Sequence, residues 1–127
     1  MDGRFLVEGP VEGTALVLAE PLSFWGGLDP ITGEIVEANH PQRGEVVTDR
    51  VLVMPSGRGS SSSATVLAES IRLGTGPAGI VLGEADEIVA IGALVAEALY
   101  GVTTAVFVAS RDGYAAIRHG DTVALAP

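Results

Sequence analysis

The stretch VLVMPSGRGSSSSATVLAESIRLGTGPAGIVLG, residues 51 to 83, sets two short apolar runs on either side of a segment with helical periodicity. Residues 51–55 (VLVMP) and 78–83 (AGIVLG) are aliphatic without alternation, the pattern of strands buried on both faces. Between them, residues 62–74 place Val66, Leu67, Ser70 and Ile71 at helical spacing and stop at Gly74. The pattern repeats downstream. Residues 86–101 open with acids and close on Gly101, as the helix dipole and a glycine stop favour, and residues 103–110 and 122–127 are further strands. Apolar strands alternating with helices imply parallel pairing through right-handed crossovers, so the C-terminal half is predicted to be a parallel βαβαβ unit.

The N-terminal half is β-rich. Residues 4–9 (RFLVEG) and 14–19 (TALVLA) are predicted to pair as a hairpin across a Gly-bearing loop. A long irregular stretch follows, broken by Pro21, Pro30 and Pro41 and by Gly26, Gly27, Gly33 and Gly44. Structureless stretches of that length inside a compact domain tend to be functional, which makes this a candidate binding loop. No linker or repeat divides the chain, so residues 1–127 are expected to form one α/β domain.

Composition removes several function classes. With 47% hydrophobic and 18% charged residues among 127, the chain should fold around a real core. A net charge of −9 repels a phosphate backbone, so nucleic acid is not an expected partner. There is no cysteine, hence no thiolate nucleophile and no cysteine ligand for zinc or an iron–sulfur cluster. All 7 basic residues are arginine, which excludes Schiff-base and P-loop lysines. The N-terminus lacks the basic start and apolar run of a signal peptide, and a cytoplasmic protein is expected. Residues 88–109 are apolar enough to resemble a membrane span, but Glu97 within them and Tyr100-Gly101 read better as a buried helix followed by a strand.

The turn PSGRGSSSS carries the chemistry. It leaves a parallel strand at the carboxyl edge of the sheet, where open α/β proteins bind ligands. Gly57 and Gly59 allow close backbone approach, the first N–H groups of the following helix are unpaired, and Arg58 suits a carboxylate or phosphate. The competing reading is a turn plus a cap, with Ser61 or Ser62 as the capping hydroxyl. A serine hydrolase fits poorly: the motif is not Gly-x-Ser-x-Gly, and His40 and His119, the sole histidines, both lie in turn-like sequence. His40 reads as a solvated loop residue or as an interface or substrate group. In SFWGG, Phe24 and Trp25 are expected to anchor the long loop and Gly26-Gly27 to make its turn, with direct substrate contact, or an interface role for Trp25, as the alternatives. The acids of residues 84–87 read as helix caps, and no metal is assigned to this chain.

PLSFWGGLDPITGEI (21–35), HPQRGEVV (40–47), the opening stretch and EADEIVAIGALVAEALYG (84–101) together resemble the small swivel-domain subunit of the aconitase X family, from about Val7 to Val108. The resemblance implies a swivelling β/β/α domain. It implies a hydro-lyase of two chains, in which a large subunit holds an iron–sulfur cluster through its own cysteines and this chain binds no cofactor. The family's activities are dehydration of mevalonate 5-phosphate and of cis-3-hydroxy-L-proline, so the expected substrate is a small hydroxy acid recognised through an anionic group, a carboxylate or a phosphate. By likeness Ser60 is the proton acceptor, Arg58, Gly59, Ser61 and Ser62 form the substrate loop, and Ser23, Trp25, Gly26, Gly27 and His40 belong to a further interface or substrate loop. The rival is a non-catalytic swivel module, anion-binding or regulatory, that keeps the Gly-Arg-Gly-Ser loop without chemistry.

Overall fold

The apolar runs become the centre of a curled six-stranded sheet in the computed structural model, which describes residues 1–127. The strands are β1 (Gly3–Val7), β2 (Val11–Val17), β3 (Val51–Met54), β4 (Gly79–Leu82), β5 (Ala105–Ala109) and β6 (Thr122–Leu125), in the order β1-β5-β4-β3-β2-β6. The helices are the single turn α1 (Phe24–Gly27), α2 (Ser62–Leu73), α3 (Glu87–Tyr100) and α4 (Arg111–Ala116). Strands β2 to β5 are mutually parallel, and the two edge strands β1 and β6 run antiparallel to their neighbours.

Alternation along each central strand feeds two cores. Leu52 and Met54 of β3, Ile80 and Leu82 of β4 and Val106 of β5 pack under α2 and α3 against Leu67, Ile71, Val89 and Ala93. Val51 and Val53, Val81, Ala105 and Phe107 face the opposite side with Val11, Ala15 and Val123. Both faces are covered, which is why these strands read as unbroken aliphatic runs. A fully buried aliphatic side chain of this kind contributes roughly 1.5–3 kcal/mol. Glycines end both long helices in the left-handed conformation, Gly74 at φ 78° and Gly101 at φ 69°. The span-like residues 88–109 divide into α3 and β5, and no helix is long and apolar enough to cross a membrane.

The expected β1–β2 hairpin does not form. β1 pairs with β5, placing Phe5 opposite Phe107 with their rings edge to face at 4.9 Å, while β2 is flanked by β3 and β6. The Gly9-Pro10 connection carries the chain across the curl of the sheet instead of turning it back. A Cβ at Gly9 would lie 2.9 Å from Thr103, and one at Gly79 would lie 2.7 Å from Val11, so the chain crosses in contact with the sheet. α4, a six-residue helix between β5 and β6, had no signature in the sequence pattern.

Candidate functional site

Parallel pairing of β2 with β3 sends the segments that follow them to the same edge of the sheet. The two segments continue side by side: Leu18 N–H donates to Val53 O at 2.8 Å, Leu22 and Gly57 bridge in parallel, and Arg58 N–H donates to Leu22 O at 3.2 Å. The serine turn and the SFWGG turn, more than thirty residues apart in the chain, therefore meet. Their junction is a hydrogen-bond chain: Ser23 Oγ donates to Trp25 O (2.9 Å), and Trp25 N–H donates to the Oγ of buried Ser63 (3.1 Å).

The SFWGG turn is shaped by its glycine. Trp25 (φ −70°, ψ 113°) and Gly26 (φ 75°, ψ −7°) have the torsions of the central pair of a type II turn, whose second residue needs positive φ. Phe24 is the anchor, buried to 1% exposure, but Trp25 is 62% exposed and does not anchor the loop as the sequence suggested. Residues 34–37 return beside this turn, with Val36 N–H donating to Gly27 O at 2.8 Å, and bring Glu37 against Ser23 and Gly27.

On the other side, Gly59 adopts φ 106°, and a Cβ there would lie 2.5 Å from Ser23 Oγ, so the two turns touch through a position only glycine fills well. Arg58, Gly59, Ser60 and Ser61 are exposed and Ser62 is half-buried. Ser61 stands at the start of α2 with helical torsions (φ −57°, ψ −21°) and makes no side-chain bond to the helix, so it does not cap. The first turn closes through Ser63 N–H to Ser60 O and Ala64 N–H to Ser61 O, which leaves the N–H groups of Ser60, Ser61 and Ser62 without a protein acceptor. Arg58 forms an ion pair with Glu37.

A cleft of about 100 Å³ opens between the turns, lined by Phe24, Gly57, Arg58, Gly59, Ser63 and Asp86 over Ile88 and Val89. Ser60 is not part of its lining; it lies on the neighbouring exposed arc of the loop. Pockets that enclose a small-molecule ligand run to roughly 300 Å³ or more, so this cleft holds part of a ligand and leaves the rest outside the chain. Asp86 caps α3, its Oδ1 accepting from Ile88 N–H (2.9 Å) and Val89 N–H (3.1 Å), in line with the capping reading of the acids.

Among the other residues singled out, His40 is 4% exposed, not solvated. Its ring bridges within its own loop: Nδ1 accepts from Gln42 N–H at 3.0 Å, and Nε2 lies 3.3 Å from Glu20 O. His119 Nδ1 accepts from Val17 N–H at 3.2 Å. Three residues of the site escaped the sequence reading. Ser63 is the fourth member of a serine run in which nothing distinguishes it, and Glu37 is one of 16 acids; Asp86 was read as a cap but not as a wall of the cleft.

The aconitase X swivel-domain model matches residues 1–127. The chain is 50% identical over 91 residues to a phosphomevalonate dehydratase small subunit of Methanopyrus kandleri, covering 72% of this chain and 67% of that one. It is 47% identical over 98 residues to a cis-3-hydroxy-L-proline dehydratase of Pseudomonas aeruginosa, covering 77% of this chain but 17% of that protein. The crystal structure of holo-form aconitase X from Thermococcus kodakaraensis superimposes with a TM-score of 0.85 at 31% identity, over 97% of this chain and 88% of that chain.

Proposed function

The chain belongs to the aconitase X swivel-domain family, and from that premise we propose that it is the small subunit of a two-chain dehydratase acting on a small anionic hydroxy acid, mevalonate 5-phosphate or cis-3-hydroxy-L-proline. The observation that carries the reading is the open start of α2. Exposed Ser60 sits between Arg58 and a set of N–H groups that no side chain caps, in a family whose relatives are named as dehydratases.

In this reading Ser60 accepts the proton from the carbon next to the substrate carboxylate, and the hydroxyl on the neighbouring carbon departs as hydroxide, so that a C=C bond forms and one water is lost. Its alkoxide is favoured by the positive end of α2 and by the guanidinium two residues earlier. The free N–H groups of Ser60, Ser61 and Ser62 and the outward donors of Arg58 hold the substrate anion, while Gly59 lets the backbone approach it. Ser23, Ser63 and Phe24 fix the second turn against the first. An iron–sulfur cluster does not fit this chain's residues, which include no cysteine and no group of three His, Asp or Glu side chains able to hold a metal. The large subunit is its place in this reading, and the small chain's share is handling of the proton and the anion.

Two further features support a two-chain assembly. The cleft is too small to enclose a substrate alone. The outer face of α3 also exposes Ile91, Leu94, Val95 and Leu99, and a groove of about 390 Å³ runs along it and begins at Ser61. Apolar surface of that kind beside a site is what partner subunits cover.

The test is Ser60→Ala in the complex reconstituted with its large subunit, assayed for water elimination from both substrates. Turnover is expected to fall by about three orders of magnitude with assembly unchanged. Unchanged turnover would remove Ser60 from the chemistry.

A further inference from the structure

Glu37 lies outside every motif of the sequence, yet its carboxylate ties the two halves of the site together. Its side chain is 17% exposed, and its two oxygens have different partners. Oε1 accepts the Ser23 backbone N–H at 3.1 Å, and Oε2 accepts from Arg58 Nη2. The carboxylate is held independently of the arginine. Glu37 N–H and Val36 N–H both donate to Gly27 O, and a Cβ at Gly27 would lie 3.0 Å from Oε1, so glycine makes the room the carboxylate occupies.

The arginine is the more exposed partner. Its side chain is 47% exposed, and a free arginine loses considerable rotamer entropy when a ligand orders it. A charge-assisted bond from a fixed carboxylate orders the guanidinium before substrate arrives and leaves its other N–H donors available. We infer that Glu37 is the positioning residue for Arg58. The inference rests on the reading of Arg58 as a substrate-holding group, and it adds the residue on which that function depends.

Glu37→Gln separates the two duties, because the amide oxygen can still accept from Ser23 N–H while the charge that holds Arg58 is gone. Side-chain ¹⁵N NMR of the full chain should show slowed rotation of the Arg58 guanidinium in the wild type and fast averaging in the variant. In the reconstituted complex, KM should rise about tenfold with kcat within about threefold, and Glu37→Asp should recover part of the loss. In an Arg58→Gln background the second substitution should add less than about twofold. The inference is overturned if Glu37→Gln costs the same factor with and without Arg58, or if it lowers Tm and leaves KM alone. A wild-type complex that eliminates water from neither substrate is a different failure: it overturns the dehydratase reading, and the role of Glu37 toward substrate falls with it.

Discussion

Two helices start at the same edge of the sheet, α2 after β3 and α3 after β4, and they treat their unpaired N–H groups in opposite ways. α3 is closed by its own sequence. Asp86, extended at φ −137° and ψ 111°, spends one carboxylate oxygen on the N–H groups of Ile88 and Val89. α2 has four serines at its start and no side-chain cap: Ser61 has helical torsions, and the hydroxyl of Ser63 is turned away to Trp25 N–H. A protein that needed only a stable helix would have capped it, since a capping hydroxyl or carboxylate is worth about 1 kcal/mol. The closed end also supports the open one. Gly57, at the base of the serine turn, lies so close to Asp86 that a Cβ there would come within 2.7 Å of its Oδ2.

The comparison predicts that damage to the open end appears in activity and damage to the closed end in stability. After Ser60→Ala, the largest effect is expected for Gly59→Ala, which forces an alanine to φ 106° and drives its methyl group into Ser23 Oγ. Such strain costs on the order of 1–3 kcal/mol and would be relieved by moving the serine turn. The kcat/KM of the complex should fall by about a hundredfold or more, and a variant as active as wild type would show that the shape of this turn is not what the reaction uses.

Asp86→Ala comes next, with an expected loss of about 1 kcal/mol read as a drop of a few degrees in Tm, and Asp86→Ser should restore most of it. The matching change at the open end, Ser61→Ala, should leave stability within about 0.5 kcal/mol of wild type. Equal losses at the two ends would mean that Ser61 caps α2 after all, and the contrast would dissolve.

The same contrast shows what a sequence can carry. β3, α2, β4, α3 and β5 were legible because strands covered on both faces read as aliphatic runs, and because Gly74 and Gly101 stop the helices. The place of the candidate site was chosen from that order, since a turn after a parallel strand falls at the edge where open α/β proteins bind ligands. Pairing of the first strands was not legible. Two short apolar runs around Gly9-Pro10 look alike whether they pair with each other or with partners about a hundred residues away, as Phe5 does with Phe107 and Val11 with Leu125. Glu37 was hidden for a related reason, because its partner Arg58 is 21 residues distant and the loop's return past Gly27 is set by backbone bonds that leave no residue pattern. Burial inside the irregular loop was likewise invisible, so His40 passed for solvated and Trp25 for an anchor.

Ser61→Asp turns the comparison into an experiment by making the open end resemble the closed one. An acid in the first turn of α2 should interact favourably with the helix dipole and stabilise the chain by about 0.3–1 kcal/mol, a small rise in Tm. The same negative charge would compete with a substrate anion for the N–H groups of Ser60 to Ser62, so KM in the complex should rise severalfold while kcat changes less. The opposed signs are what make the test sharp. Higher stability with weaker binding means that α2 is left uncapped to receive an anion, at a small cost in stability. Higher stability with unchanged KM would move the anion off the helix start and onto Arg58 alone, leaving the serine run to serve Ser60's proton chemistry.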